Sequence, residues 1–330
     1  MNNSSYFIQE KTCREEHLRE IRKYIPINKY LKDFDWFFIH PLYMQGFEIN
    51  ILENLMKEGN TDPEKIKEVF IRKFHTVDFS ASFIRGFCIR SKYIAPFTQS
   101  IEHSMILAYQ RDYEGAIKTL MPIIEGILRQ YLILEKNFTN EKIFNNELKG
   151  SLDFIKEGIL NNVKKWLENY ISPLNNQSVI FDANQIEELF SLEKERFDIW
   201  FSFFNEFIKK SLYARSNGSE GLLNRHSILH ELNDKTFIYS IENYIKLYSS
   251  LHFLLWALLI LEGKGVLAEI SNEDHMRTYK SYKQIIYSSK FLIEAKAELD
   301  DRYKPFIKPT TSMRETIIKT FLHISAFKKS

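Results

Sequence analysis

Glycine and proline, the residues that interrupt regular secondary structure, are scarce in this chain, which has 11 glycines and 8 prolines among 330 residues. A fold built from many short strands needs frequent turns and uses both residues freely. The scarcity therefore favours long, uninterrupted helices. Apolar side chains also recur at intervals of three and four residues along most of the sequence, which is the period of an amphipathic helix. The predicted fold class is all-α.

Composition limits the kinds of partner the chain can have. With 44% apolar and 15% aromatic residues, the sequence can bury a large core and is not globally disordered. Its 45 basic and 43 acidic side chains nearly cancel, so no overall electrostatic field attracts nucleic acid or membrane. An anionic partner would have to meet a local basic patch.

Cap and turn residues mark helix boundaries in the first half of the chain. Asp62 can cap a helix and Pro63 suits the first helical position, so a helix is predicted over 63–73. A second helix is predicted over 100–111 and a third over 113–135. The third contains Pro122, which should kink it.

Other parts of the first hundred residues are less regular. Residues 11–24 read as a short amphipathic helix stopped by Pro26, and residues 34–51 read as helix, turn and helix. Residues 76–98 are rich in aromatic side chains with weaker periodicity, which allows a small pair of strands.

The second half divides into a bundle and an extension. Residues 136–192 are rich in asparagine and are interpreted as an insertion with two modest helices. The helices expected after residue 136 cover about 148–170, 184–191, 193–215, 234–262, 273–298 and 312–327. The predicted organisation is a helical N-terminal region of unknown role (1–99), a four-helix unit (100–263) and a C-terminal helical extension (264–330).

No segment is predicted to cross a membrane. The most apolar run, Leu251 to Leu261, is well short of the roughly 20 residues that a membrane span requires, so it indicates a buried helix. The N-terminus is polar and leads into a charged stretch, which does not suit a signal peptide. Cys13 and Cys88 fit neither a disulfide framework nor a zinc pattern. We therefore expect a cytoplasmic protein with reduced cysteines.

One segment of the sequence has residue types suited to catalysis. Leu222 to Glu231 follows a glycine-containing loop and precedes the long apolar helix. In it, Arg225 is a permanent planar cation that can hold a phosphate in two places. His230 changes its charge near neutral pH and can move a proton. Glycine-rich phosphate loops and common catalytic motifs are absent from the sequence, and no metal or cofactor is expected.

An arginine and a histidine together suit metal-free cleavage of RNA. The imidazole would deprotonate the 2′-hydroxyl or protonate the leaving 5′-oxygen, while the guanidinium stabilises charge on the phosphorane. Arg225 and His230 point about 140° apart on a regular helix, so one copy aligns them poorly. A helix start capped by Asn224, or two copies meeting across a symmetric dimer, would bring them together.

The segment Asn224-Arg225-His226-x-x-Leu229-His230 resembles the R-x(4–6)-H signature of the HEPN superfamily, in which Asn, Asp or His usually follows the arginine. Upstream, residues 108–126 resemble the helix pair that precedes this signature in bacterial HEPN-like proteins. The resemblance covers about 100–263. It implies a HEPN-like four-helix bundle with additional helices at both ends.

The resemblance also implies an activity. It indicates a metal-independent endoribonuclease that cleaves RNA as a homodimer, in phage defence or under the control of an antitoxin or regulatory partner. Arg225 and His230 would form the catalytic pair and His226 would assist them. Glu231 stands where relatives often have glycine and places a negative charge beside the site. Leu232 replaces the tyrosine to which some HEPN toxins attach AMP, so that form of control does not transfer.

Two alternatives from other classes remain open. Many HEPN domains only bind, so the chain could be a catalytically inactive module for RNA or a protein partner. It could also be a helical scaffold subunit in which Arg225 and His230 form a structural cap.

Further residues are candidates for supporting roles. Glu125 lies among apolar residues and is expected to orient Arg225 through a salt bridge, unless it faces solvent near the kink. His252 is expected to be a core histidine. A weak RNA-binding surface is predicted on the C-terminal extension, with a solvated helix face as the alternative; its residues are Arg277, Lys280 and Lys283, beside Tyr279 and Tyr282.

Overall fold

A computed structural model describes residues 3–39, 44, 46–170, 179–213, 223, 228, 239–264 and 272–299 of the chain. Within these residues the secondary structure is helical throughout and contains no β-strand, which confirms the all-α class. The predicted helix over 312–327 lies outside the described residues.

Eleven α-helices occur among the described residues. They are α1 (Asn3–Arg22), α2 (Tyr24–Lys32), α3 (Gly46–Lys57), α4 (Pro63–Phe74), α5 (Val77–Ser82), α6 (Thr98–Tyr109), α7 (Tyr113–Lys136), α8 (Asn145–Glu168), α9 (Ala183–Phe207), α10 (Ile241–Leu261) and α11 (Asn272–Leu299). Two π-helical turns, Phe83–Phe87 and Ile208–Leu212, and short 3-10 turns join some of them.

Side-chain caps define where several helices begin. The Asp62 carboxylate accepts a hydrogen bond from the Glu64 backbone N–H at 3.0 Å, and Pro63 occupies the first position of α4, as predicted. Asp112 caps α7 in the same way. The helix α7 is continuous from Tyr113 through Pro122 to Lys136.

Three expectations for the first hundred residues are wrong. Pro26 does not stop a helix; it lies in the first turn of α2, where its missing N–H leaves no bond unmade. Residues 36–39 lack regular structure, so the first of the two helices expected in 34–51 is absent there, while α3 from Gly46 corresponds to the second. Residues 76–98 form α5 and short π- and 3-10 turns in place of strands. Their periodicity is weak because neighbouring helices cover them on more than one side.

Four long helices, α7 to α10, pack on one another around the main core. The segment expected as an insertion over 136–192 contributes α8 to this arrangement, where α8 contacts α7, α9 and α10. The α8 side chains that line the core are Leu148, Leu152, Ile155 and Ile159. The expected helices over 184–191 and 193–215 are a single helix, α9, over the described residues.

The helix α10 is the centre of the structure. Every residue from Tyr244 to Leu259 is buried. In the described part of the chain, α10 alone is long and apolar enough to span a membrane, and 89% of its most apolar window is buried inside the protein. Gly263 follows the helix with φ of 67°, a conformation that favours glycine and ends the helix.

The helices outside the four-helix arrangement share its core. The main core cluster runs without interruption from side chains of α1 to Tyr282 of α11. In addition, α1 packs along α9, and α11 packs against α5 and α6. A second, smaller cluster lies under the start of α1, around Tyr6, Tyr170 and Phe181.

Candidate functional site

The predicted catalytic segment is only partly described. The predicted catalytic and capping residues lie outside the described residues: Asn224, Arg225, His226 and His230. Leu223 and Ile228, on either side of Arg225, are described, and their exposed fractions are 0% and 1%. Both side chains belong to the main core. The chain is therefore attached to the core immediately before Asn224 and again two residues after His226.

Eleven residues after His230, α10 begins at Ile241. The Ser240 hydroxyl accepts a hydrogen bond from the Asn243 backbone N–H at 3.2 Å and caps this helix. The sequence analysis expected the helix to start at Asp234, but residues 229–238 lie outside the described residues.

Glu125 is buried on α7, as the sequence analysis expected. Its carboxylate accepts a hydrogen bond from the Arg129 Nε at 2.7 Å, one helical turn along the same helix. The sequence analysis did not identify this partner, although a glutamate four residues before an arginine is a recognised helical ion-pair spacing. The expected contact with Arg225 involves a residue outside the described part of the chain.

A buried lysine lies near the beginning of α10. Only 5% of the Lys246 side chain is exposed. Its Nζ is 2.9 Å from Glu242 Oε1, 3.7 Å from Asp35 Oδ2 and 3.5 Å from the Phe34 carbonyl oxygen. The same ammonium lies 5.1 Å from the centre of the Trp36 ring. Two carboxylates, a carbonyl and an aromatic face therefore compensate the loss of water around this cation.

Asp35 has an unusual backbone conformation for an aspartate. Its φ is 58°, in the left-handed region that non-glycine residues seldom occupy. Besides the contact with Lys246, its carboxylate accepts a hydrogen bond from the Ser211 hydroxyl at 2.8 Å. Ser211 lies in the π-helical turn that ends α9, a local geometry that often accompanies function. Asp35 thus connects the turn after α2 to both α9 and α10.

A cleft of about 330 Å³ opens beside Asp35. Its walls combine aromatic rings with charges of both signs: Lys29, Lys32, Asp33, Asp35, Trp36, Phe37, Phe203, Glu206, Phe207 and Ser211. Lys32 and Glu206 form an ion pair across it. The sequence does not predict this cleft, because residues 34–51 are expected to be helical. The signal in the sequence for the charged residues around Asp35 was Lys246, the one lysine in the apolar sequence of α10.

Two histidines, His252 in the core and the half-buried His75, are held neutral. His252 is fully buried among the rings of Phe74, Phe79, Phe83 and Tyr248, and burial lowers its pKa well below the usual value. This confirms the prediction of a core histidine. Burial and the nearby Arg111 cation lower the pKa of His75 to about 4. Neither imidazole is suited to proton transfer near neutral pH.

The basic residues predicted on the C-terminal extension lie on α11. Arg277, Lys280 and Lys283 are all exposed. The Lys283 ammonium lies 4.6 Å from the centre of the Tyr279 ring. Tyr282, which the sequence analysis grouped with them, is instead buried against the rest of the protein.

The described residues contain no group of three or more His, Cys, Asp or Glu side chains placed to hold a metal ion. Comparison with protein-family models, with curated proteins and with solved structures gives no significant match to this chain. A function can therefore be inferred only from the residues themselves.

Proposed function

We propose that this protein is a metal-independent endoribonuclease of the HEPN type, in which Arg225 and His230 from two subunits form a composite site. The position of the motif supports the proposal. It precedes α10, the buried helix at the centre of the α7–α10 arrangement, with ten residues of sequence between them, and Leu223 and Ile228 belong to the same core. The HEPN resemblance implies a helix pair, an insertion, a third helix, the motif and a fourth helix; α6, α7, α9 and α10 stand in those places in the sequence, while α8, from the expected insertion, also packs in the core.

The proposed reaction needs only an acid–base group and a cation. His230 removes the proton from a ribose 2′-hydroxyl, whose oxygen attacks the adjacent phosphorus. The P–O5′ bond breaks, and the leaving 5′-oxygen takes a proton from the second His230 of the composite site, which the other subunit supplies. Arg225 stabilises the negative charge on the phosphorane. The products are a 2′,3′-cyclic phosphate and a 5′-hydroxyl, and DNA is not cleaved because it lacks the attacking group.

The dimer is part of the proposal for a geometric reason. On one regular helix, side chains five positions apart point about 140° away from each other. A two-fold axis near the motif would place His230 of one subunit opposite Arg225 of its partner. His226 shares a helix face with His230 in a regular helix and assists it.

The proposed biological role is the control of growth or of phage infection in the cytoplasm. An enzyme that cleaves cellular RNA needs a partner that restrains it, so we propose an antitoxin or another regulatory partner. This part of the proposal follows from the HEPN resemblance alone.

Incubation of the purified protein with labelled single-stranded RNA in EDTA tests the activity. We expect cleavage with cyclic-phosphate ends, and none of DNA of the same sequence. His230→Ala and Arg225→Ala should each abolish it. His17→Ala and Arg19→Ala, which change exposed residues of the same types on α1, serve as matched controls and should cleave normally.

Cleavage that persists in both motif variants would remove the proposed site. A mixture of the two inactive variants tests the dimer separately, because a composite site should regain part of its activity when subunits exchange. No recovery in a mixture shown to contain mixed dimers would argue for a site within one subunit.

A second candidate function is a module that binds RNA without cleaving it. The exposed basic residues of α11 favour it, because they belong to a helix that packs against α5 and α6, outside the α7–α10 arrangement. Tight binding of RNA with no cleavage, unchanged in His230→Ala, would support this alternative.

A further inference from the structure

One face of α11 is fixed to the protein by polar contacts. Its inward side chains include Thr278, Tyr282 and Ser289, all of which are buried. Three contacts join this face to α5, α6 and the π-helical turn between them: His275 Nε2 with Asp78 Oδ1 at 2.9 Å, Thr278 Oγ1 with Arg85 Nε at 3.0 Å, and Tyr282 Oη with Glu102 Oε1 at 2.6 Å. The position of the opposite face is thereby set.

The opposite face combines apolar, aromatic and basic side chains. Met276, Lys280, Lys283 and Tyr287 recur at intervals of three and four residues, so they form one stripe along α11. We call this stripe the α11 outer face. Met276 is 44% exposed and Tyr287 is 58% exposed, so both side chains meet solvent.

The charged side chains in the middle of α11 are all basic. The sequence between Asp274 and Glu294 has no acidic residue and includes Arg277, Lys280, Lys283 and Lys290. Arg277 pairs with Asp274 in the first turn at 2.9 Å. Lys280 and Lys283 have no carboxylate within ion-pair distance among the described residues. The Tyr279 hydroxyl raises the pKa of Lys283 by hydrogen bonding, so this ammonium keeps its charge.

A cleft of about 340 Å³ opens between α11 and Gln110 at the end of α6, next to this face. Its lining is rich in amides and hydroxyls and has no charged side chain: Gln110, Ser281, Gln284, Ile285, Ser288 and Ser289. Its volume is within the range of small-ligand sites, about 300–1,000 Å³. Amides and hydroxyls can donate and accept hydrogen bonds, which is what the edge of a nucleobase requires.

We propose that the α11 outer face binds single-stranded RNA. Lys280 and Lys283 contact neighbouring phosphates, and a base stacks on Tyr287. The neighbouring cleft holds an adjacent base, whose edge reaches the amides and hydroxyls of its lining. This proposal extends the proposed ribonuclease function by naming where its substrate is held, at a surface outside the α7–α10 arrangement.

Single-stranded RNA suits these features better than other polyanions. Bases of a single strand are free to stack on aromatic rings, and an exposed tyrosine next to lysines is the combination that such binding uses. A duplex hides its base faces. An anionic membrane would need a broader apolar face than Met276 and Tyr287 provide.

Fluorescence anisotropy with a labelled single-stranded 2′-O-methyl RNA of about ten nucleotides tests the proposal. The blocked 2′-oxygen cannot attack, so binding is measured whether or not the protein is a nuclease. The double variant Lys280→Gln/Lys283→Gln should raise the dissociation constant roughly tenfold. The slope of the logarithm of the binding constant against the logarithm of the salt concentration should become shallower by about 1.4, because each phosphate contact contributes about 0.7. Tyr287→Ala should weaken binding about fivefold or more.

The matched control is Lys165→Gln/Lys194→Gln, which removes the same charge from exposed positions on α8 and α9. It should change the dissociation constant less than twofold. Equal weakening by the control pair, or wild-type affinity in the α11 double variant, would overturn the proposal. Tighter binding to anionic phospholipid vesicles, lost in the same double variant, would assign this face to a membrane. Cleavage in EDTA is assayed separately, so loss of one proposal leaves the other standing.

Discussion

The Lys246 ammonium lies 3.7 Å from the Asp35 carboxylate and joins the central helix α10 to the turn that follows α2. The same carboxylate accepts a hydrogen bond from Ser211 at the end of α9. Three separate parts of the chain therefore meet at one aspartate whose backbone is in the left-handed region. A buried cation is tolerated only when partners replace its water, and Asp35 is one of the two carboxylates that do so.

Replacing this lysine should destabilise the fold. Lys246→Met keeps the length of the side chain but leaves Asp35 and Glu242 without their shared cation. Both carboxylates are about one-third exposed and regain some water, so we expect a loss of about 2 kcal/mol in the free energy of unfolding, below the 3–5 kcal/mol of a fully buried pair. Urea denaturation measures it.

Lys57→Met is the matched control, because Lys57 pairs with Glu53 on an exposed helix surface at 3.4 Å. It should cost less than about 0.5 kcal/mol. Equal losses in the two variants would show that the buried position of Lys246 adds nothing. A stabilised Lys246→Met protein would show that the pair does not offset its own dehydration.

Stability should fall on acidification because of His75. Its pKa is about 4 in the folded protein and about 6.5 in the unfolded chain, so the unfolded state binds the extra proton between these values. The contribution is complete above pH 6.5 and is lost as the pH falls to 4. At about 1.4 kcal/mol per pKa unit, the loss is about 3 kcal/mol. The lowered pKa of His252 likewise reduces the free energy of unfolding as the pH falls.

The free energy of unfolding should depend less on pH in His75→Gln than in the wild type when both are measured from pH 7 to pH 4. Tyr109→Phe is the control, since the Tyr109 ring contacts His75 with a centroid distance of 4.9 Å but has no imidazole. It removes the phenol that donates to Ser80, so it should lower stability equally at every pH. An unchanged slope in His75→Gln would contradict the prediction.

Local signals in the sequence identify much of the fold. Asp62 with Pro63, and Asp112 before an apolar period, mark helix starts because a side-chain cap and a fixed φ act within a few residues. The long apolar period of α10 identifies a buried helix for the same reason. These features depend on neighbours in the sequence, so the sequence shows them.

Features set by tertiary contacts are not visible in the same way. Pro26 suits either the end of one helix or the first turn of the next, and in the structure α1 ends at Arg22 and Pro26 lies in the first turn of α2. Residues 83–87 form a π-helical turn that contacts α5 and α6, and no helical period in the sequence marks it. The contact between Asp35 and Lys246 joins residues more than two hundred positions apart, which no periodicity reveals.

The candidate site divides in the same manner. The Arg225–His230 motif is recognisable because its residues are close in sequence, and its catalytic role stays a prediction. The outward position of Lys280 and Lys283 required the structure, because only contacts such as Tyr282 with Glu102 show which side of α11 faces inward.

The end of α7 offers a direct test of backbone strain. Asn137 follows the helix with φ of 54°, and its N–H bonds to the Leu132 carbonyl. Asparagine tolerates this conformation and glycine accepts it freely, while alanine does not. Asn137→Ala should lower the free energy of unfolding by about 1 kcal/mol, and Asn137→Gly should change it by less than about 0.5 kcal/mol. Thermal or urea unfolding separates them, and equal values would contradict the left-handed assignment.

The core residues beside the motif link stability to the proposed activity. Ile228 is 1% exposed, so Ile228→Ala leaves a cavity and should cost about 2–4 kcal/mol in the free energy of unfolding. Ile228→Val removes one methyl group and should cost about 1 kcal/mol. Because Ile228 lies between His226 and His230, we expect the cavity also to loosen the placement of the catalytic pair.

Cleavage must therefore be compared at a temperature at which every variant is folded, as judged by circular dichroism. Under that condition Ile228→Ala should cleave RNA at least tenfold more slowly than wild type, and Ile228→Val within about threefold of it. Leu120→Ala, a change of similar size in the core part of α7, is the control for general loss of packing. If Leu120→Ala slows cleavage as much as Ile228→Ala, the effect reflects overall stability and gives no support to a site at residues 225–230.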